Sequence, residues 1–385
     1  MRRSRIGTAH PLTWVAVHRG ALRANIHALR SRLVPGTEFA AVVKGDAYGH
    51  GMIPVAQAIA RTVNLFAVAH TREALLLRDA GMMKPILVLS YADPELLVAA
   101  VRARVEHVVH DAHSLAQLER AAQRAGQRAD VHVKIDTGTT RIGVQSDELA
   151  GFVRLLARTR HCRVTGVFTH YANAEEETHF MQEQTRRFAD ALAILRPVTG
   201  AHVRRHSACT AAVLTGGTTV GFDMVRVGIG LYGLWPSQDI ARRVRRHRPV
   251  VQLTPALSWS THVIQVKTVP SGTSISYGRT YRTTRTTRLA VLPVGYYDGY
   301  DRGLSNRGAV LVNGCRAPIR GRVCMNLTMV DVTRIPGVRP GNVVTLIGKD
   351  GADTISATDL AAWSGTINYE IVSRISPSIP RIYQD

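Results

Sequence analysis

Two rhythms of apolar and polar positions divide the chain. Over its first part, short β-branched runs recur at 39–43, 65–69, 85–89, 105–109, 131–135, 164–168, 203–209 and 224–229. Segments of helical period fill the gaps: 21–33, 53–63, 72–80, 94–104, 114–125, 149–159 and 181–195. In the first of these, Leu22, Ile26 and Leu29 fall on one helical face. Eight strands alternating with helices predict an α/β fold, an N-terminal (β/α)8 TIM-type barrel, with an open doubly wound sheet as the competing arrangement. After about residue 240 the rhythm changes. Strand-like runs at 261–269, 287–294, 308–312, 328–332 and 343–347, with one helix over 356–363 capped by Ser356, predict a mostly β C-terminal domain. We place the barrel at 12–245 and the second domain at 246–385 together with a leading strand, 12–18. The arginine-rich stretch near 241–250 is read as the joint.

Chemistry concentrates where the apolar runs end. In such barrels functional side chains project from the C-terminal ends of the strands. Here those positions carry Lys44, Lys134, Asp136, His170, His206 and Arg226. Lys44 follows an apolar strand, and Tyr48 comes four residues later in a glycine-bearing turn. That arrangement suits an aldehyde cofactor held as an imine. Arg226 is followed by the run 227–230, Val-Gly-Ile-Gly, whose backbone N–H groups suit a phosphate after the eighth strand. Lysine and phosphate cradle together point to pyridoxal 5'-phosphate; a phosphosugar aldolase with a lysine imine is the rival, and it leaves the second domain unexplained.

These segments resemble the alanine racemases, the barrel-type pyridoxal-phosphate enzymes, over nearly the whole chain. The matching runs are 42–51 (Val-Val-Lys-Gly-Asp-Ala-Tyr-Gly-His-Gly), 134–143 (Lys-Ile-Asp-Thr-Gly-Thr-Thr-Arg-Ile-Gly) and 225–233 (Val-Arg-Val-Gly-Ile-Gly-Leu-Tyr-Gly). They continue at 276–281, 294–300, 321–325 and 367–371. The resemblance implies a PLP-dependent racemase interconverting L- and D-alanine, and a head-to-tail homodimer with shared active sites. Lys44 would be the cofactor lysine and the base on one face of the substrate. Tyr277, from the partner subunit, would be the base on the other. Arg226 would face the pyridine nitrogen, supported by His206, with His170 linking it to the tyrosine. Arg141 would lie on the cofactor phenolate and near the substrate carboxylate, opposite Lys134, a lysine carbamylated in some members. Tyr48, Thr210, Gly228, Ile229 and Tyr369 would contact the phosphate. Tyr296 and Met325 of the partner subunit would border the substrate. No metal is implied.

The pattern is departed from at Asn326, where the family often has aspartate, at Val227 in place of proline, at Cys209-Thr210 in place of Asn-Ser, and at Thr139 in place of methionine. Lys44, Tyr277, Arg141 and Arg226 are untouched, so the departures bear on side-chain preference, with serine as the other substrate to weigh. A barrel-type PLP decarboxylase should lack the run around Tyr277, and a non-catalytic cofactor carrier should lack the second domain.

Composition adjusts this picture little. The net charge is +21, yet no nucleic-acid motif accompanies the arginines, among them Arg242, Arg243, Arg245, Arg246 and Arg248, so a solvated basic surface is expected. None of the four cysteines forms a Cys-x-x-Cys pair. No apolar stretch is long enough to span a bilayer and residues 1–11 lack a signal-peptide pattern, so a cytoplasmic enzyme is expected.

Overall fold

The computed structural model describes residues 11–176, 178–200, 202–216, 222–246 and 251–385. Residues 1–10, read above for a signal peptide, and Arg248 lie outside them. Two compact units emerge. One is Arg19–Pro255; the other joins the leading strand to Ala256–Asp385.

The first unit contains a closed barrel of eight parallel strands: Glu38–Val42, Leu65–Val68, Ile86–Val88, Glu106–Val109, Ala129–Lys134, Cys162–Phe168, Arg204–His206 and Met224–Val227. Closure is by the first and eighth strands, which pair in parallel from Glu38↔Met224 to Ala41↔Val227. The strands read as near-continuous apolar runs because helices cover their outer face and side chains fill the barrel. Ala40, Leu65, Leu87 and Met224, from strands one, two, three and eight, form one apolar cluster. A larger cluster packs the fourth to sixth strands against the helices Ala112–Ala125, Leu149–Leu156 and Thr178–Thr199, through residues such as Val133, Leu118, Phe152 and Phe188.

Two features differ from the sequence reading of this region. The described part of the arginine-rich stretch read as a joint lies mainly in a helix, Gln238–Arg245. Ser237 caps it by accepting from the Ile240 N–H, and Ile240, Ala241 and Val244 are buried beneath the arginines. The single run expected over 261–269 is two strands, Leu257–His262 and Gln265–Val269. These belong to different sheets: the first pairs with Thr13–His18 and Val343–Asp350, the second with Thr287–Leu292. Helix Ala357–Ser364 starts at Ser356 as read, and a second short helix, Asn368–Ser373, follows it.

One buried titratable group makes the barrel unit acid-sensitive. His107 is fully buried. Its Nδ1 lies 3.0 Å from the Val105 carbonyl, to which it donates, and its Nε2 has no hydrogen-bond partner among the described residues. Burial pulls the imidazole down to about 4. Below the unfolded value, about 6.5, the unfolded chain takes up a proton that the folded chain refuses, so stability is lost as pH falls from there toward 4. The expected contribution is about 3 kcal/mol over that window. Urea unfolding at a series of pH values should show His107→Leu losing about one proton's worth of this slope; an unchanged slope would refute the assignment.

Candidate active site

Lys44 leaves the first barrel strand into a left-handed turn. Gly45, Asp46, Ala47 and Tyr48 all have positive φ, at 63°, 52°, 55° and 53°. For residues with a Cβ this costs roughly 1–2 kcal/mol each, so neighbours must hold it. Glu73 does so from the following βα unit, accepting the N–H of Gly45 at 2.7 Å and of Ala69 at 2.8 Å. Asp46 accepts the Met52 N–H at 2.7 Å. Burial, then Arg141, lowers the Lys44 amine from its usual range, with Arg226 adding to the effect and Glu73 opposing it.

Arg226 ends the eighth strand, nearly fully buried. Burial pulls it down to about 10, which still leaves it charged at neutral pH. No carboxylate pairs with it among the described residues. It donates instead to the carbonyls of Thr169 (2.8 Å) and Ser207 (3.0 Å), and to Nδ1 of His206 (2.7 Å) and His170 (3.1 Å). A guanidinium has no acceptor, so both Nδ1 atoms must be bare. Burial and the neighbouring cations, Arg226 foremost, hold both imidazoles well below the usual histidine range. His170 is therefore neutral with its proton on Nε2. Phe168 lies against this group, its ring stacked on His206 at 4.7 Å and 5.1 Å from the Arg226 guanidinium carbon.

Lys134, at the end of the fifth strand, is buried and lowered to about 8 by desolvation, then by Arg141, Arg226 and Lys44. It is still mainly protonated near neutral pH, with a larger neutral minority than an ordinary lysine. Asp136 works locally. Burial raises it, but the N–H groups of Gly138, Thr139, Thr140 and Arg141 converge on its carboxylate at 2.9–3.1 Å and bring it below the usual range. It is a loop anchor that sets the backbone of Arg141.

The residues expected to hold a phosphate form a close cradle. The Thr210 hydroxyl accepts the N–H of Gly228 (3.2 Å) and of Gly230 (3.4 Å), which leaves its own hydrogen to donate. A Cβ on Gly228 would stand 2.4 Å from the Tyr48 hydroxyl, so only glycine admits that phenol. Ile229 is buried beside them. Arg141, Arg226 and Lys134, a strand-end Lys44 lowered by its surroundings and this cradle fit an aldehyde carrying a phosphate.

In the second unit, Tyr277 opens a short turn at the tip of a loop and is 74% exposed. Tyr296 and Met325 are also exposed and are brought together there: Tyr296 N–H donates to Cys324 O at 3.0 Å, and Tyr297 N–H to Met325 O at 3.0 Å. A Cβ on Gly295 would meet Cys324 O at 2.1 Å, so glycine is needed for this approach. Tyr369 lies in helix Asn368–Ser373 of the same unit.

Sequence reasoning passed over Glu73, Glu106, His132 and Gln184. Glu106 and His132 had a signal, a charged and an imidazole side chain inside apolar runs. Gln184 had little: its amide donates to Thr137 Oγ1 and His170 O, and accepts from the Ala172 N–H, which holds the loop bearing His170.

Known proteins resemble the chain throughout. The family profile "Alanine racemase, N-terminal domain" matches residues 17–236, and "Alanine racemase, C-terminal domain" matches 256–383. The alanine racemase of Halothermothrix orenii is 41% identical over 375 residues, covering 97% of each chain. The solved alanine racemase of the D-cycloserine producer Streptomyces lavendulae is 33% identical, with a TM-score of 0.91 over 98% of each chain. That of Bacillus anthracis with bound L-Ala-P is 38% identical, with a TM-score of 0.89 over 98% of this chain and 96% of that one.

The Asp136 anchor can be tested apart from catalysis. Asp136→Ala leaves four backbone donors without their acceptor, at an expected cost of about 1–3 kcal/mol. Hydrogen exchange should show the amides of Gly138–Arg141 losing protection while the barrel strands keep theirs; uniform protection would overturn the role.

Proposed function

The chain belongs to the alanine racemase family, and we infer that it interconverts L- and D-alanine with two bases on opposite faces of the substrate. The observation that carries this is Lys44 at the mouth of a barrel whose buried cation, Arg226, is satisfied wholly by neutral acceptors. When bound, pyridoxal 5'-phosphate would draw electrons from the α-carbon of the amino acid and so loosen its α-hydrogen.

The protein's own residues do the rest. Lys44 binds the cofactor and exchanges a proton on one face; its lowered amine is suited to both tasks. Arg226 stays positive and has no acceptor to offer, so facing the pyridine nitrogen it would oppose ring protonation and restrain side reactions. Tyr48, Thr210, Gly228 and Ile229 would hold the phosphate, with Tyr369 as a further candidate contact. Arg141 would orient the cofactor phenolate and the substrate carboxylate. Lys134, lowered enough to expose a neutral amine fraction, is the candidate for carbamylation, which would turn a cation facing Arg141 into an anion.

The second base is Tyr277 of the partner subunit in a homodimer. Its exposure, beside Tyr296 and Met325, supports donation to another copy. His170, with its one proton on Nε2, offers that hydrogen to the phenol oxygen and steadies the phenolate form. In this reading 12–245 is the cofactor domain, and 246–385 with the leading strand supplies the partner's site. The free cysteines support a cytoplasmic setting. No helix among the described residues is long and apolar enough to cross a membrane.

Borohydride treatment of the holoenzyme and peptide mapping should place the cofactor on the peptide bearing Lys44, and Lys44→Ala should abolish this. Tyr277→Phe should slow α-proton exchange from one alanine enantiomer by about 10²–10⁴-fold while the cofactor stays bound. Mixing inactive Lys44→Ala with inactive Tyr277→Phe should restore about a quarter of wild-type activity, because half of the dimers are then mixed and each holds one intact site. No recovery after subunit exchange would refute the shared site.

A further inference from the structure

Inside the barrel, four polar side chains join into one hydrogen-bonded line. Arg226 NH1 lies 2.7 Å from His206 Nδ1, His206 Nε2 lies 2.8 Å from His132 Nδ1, and His132 Nε2 lies 2.8 Å from Glu106 Oε2. All four are buried, the two imidazoles completely. Arg204 closes the far end, donating to both oxygens of Glu106 at 3.2 Å and standing 3.0 Å from Glu38. The donor order has one solution. Arg226 can only donate, so His206 Nδ1 is bare and its proton sits on Nε2. That proton makes His132 Nδ1 the acceptor, so His132 carries its own on Nε2 and gives it to the carboxylate. Two neutral imidazoles, both Nε2–H, thus run one way from a cation to an anion.

The backbone is shaped to permit this. His132 on the fifth strand reaches His206 on the seventh by crossing the sixth. At the crossing stands Gly166, where a Cβ would be 2.2 Å from His132 Nδ1. The pairing of the fifth and sixth strands slips by one residue at the same place, from Val131↔Val164 to His132↔Gly166. A bulge and a glycine both make room for one imidazole, more than a merely tolerated polar group requires.

We propose that Glu106 and His132, with Gly166 leaving them space, are positioning residues that lock His206 in the tautomer Arg226 needs and so fix the guanidinium against the cofactor. The reaction consequence rests on the racemase reading; the proton order does not. Through this line the carboxylate at its end, itself paired with Arg204, is kept two imidazoles away from Arg226. The guanidinium is steadied without a carboxylate that would compete for its outward N–H groups.

The test combines a proton readout with kinetics. In ¹⁵N-histidine NMR or neutron diffraction of the wild-type protein, His206 and His132 should carry hydrogen on Nε2 and none on Nδ1. Gly166→Ala should push His132 off His206, give His206 mixed tautomers, and lower kcat about ten-fold with KM for alanine within about two-fold. Glu106→Gln, which keeps an acceptor, should preserve both tautomers and cost less. If Gly166→Ala does not fold, His132→Phe serves, retaining ring volume while removing both nitrogens. A proton on either Nδ1 in the wild type would overturn the line. A variant with His132 displaced but kcat and the His206 tautomer unchanged would reduce it to scaffolding. The expected tautomers in a protein with no racemase activity would instead condemn the functional reading and leave the proton order standing.

Discussion

Arg226 is charged, almost wholly buried, and without a carboxylate partner among the described residues. Desolvating such a group is expensive unless its N–H hydrogens find acceptors. Two carbonyls and two imidazoles supply them, and the imidazoles can do so only when neutral and correctly turned. That requirement fixes His170 and His206. The same charge contributes to lowering Lys44 and Lys134. Phe168 fills the flank with an aromatic face in place of a competing polar group.

Much of this architecture was legible in the order of residues. All eight barrel strands lie within a few residues of the runs that predicted them, because strands buried on both faces are mostly apolar and admit polar side chains only where partners satisfy them. The strand-end residues stood out for the complementary reason: a lysine or arginine closing an apolar run needs a function or a partner to offset its desolvation. What escaped notice was tertiary. Nothing local tells that His132 crosses one strand to touch another, or that Asp136, a seeming candidate for chemistry, spends its carboxylate on the amides of its own loop. The arginine-rich stretch misled because its charges drew attention away from Ile240, Ala241 and Val244, the face that makes it a helix. The break between His262 and Gln265 was hidden by strand-like residues that continue through it.

The second unit was harder to read, and for a different reason. Its strands are short, and its conspicuous aromatics lie in loops whose geometry is set by close backbone approaches such as that of Gly295 to Cys324. Their grouping depends on contacts between distant segments, 276–279, 294–299 and 321–327. Family resemblance marked Tyr277, Tyr296 and Met325; periodicity would not have.

The left-handed turn after Lys44 has a consequence for how this protein wears out. Its three strained non-glycine residues, Asp46 among them, are held by backbone hydrogen bonds within the turn and by two carboxylates, Glu73 on the Gly45 N–H and Asp46 on the Met52 N–H. Such a segment behaves as a latch: it is either fully seated or sprung, with little in between. The amine of Lys44 and the phenol of Tyr48 are fastened to the same latch. A change that displaced either carboxylate would therefore disturb the amine and the phenol together, because one short turn carries both.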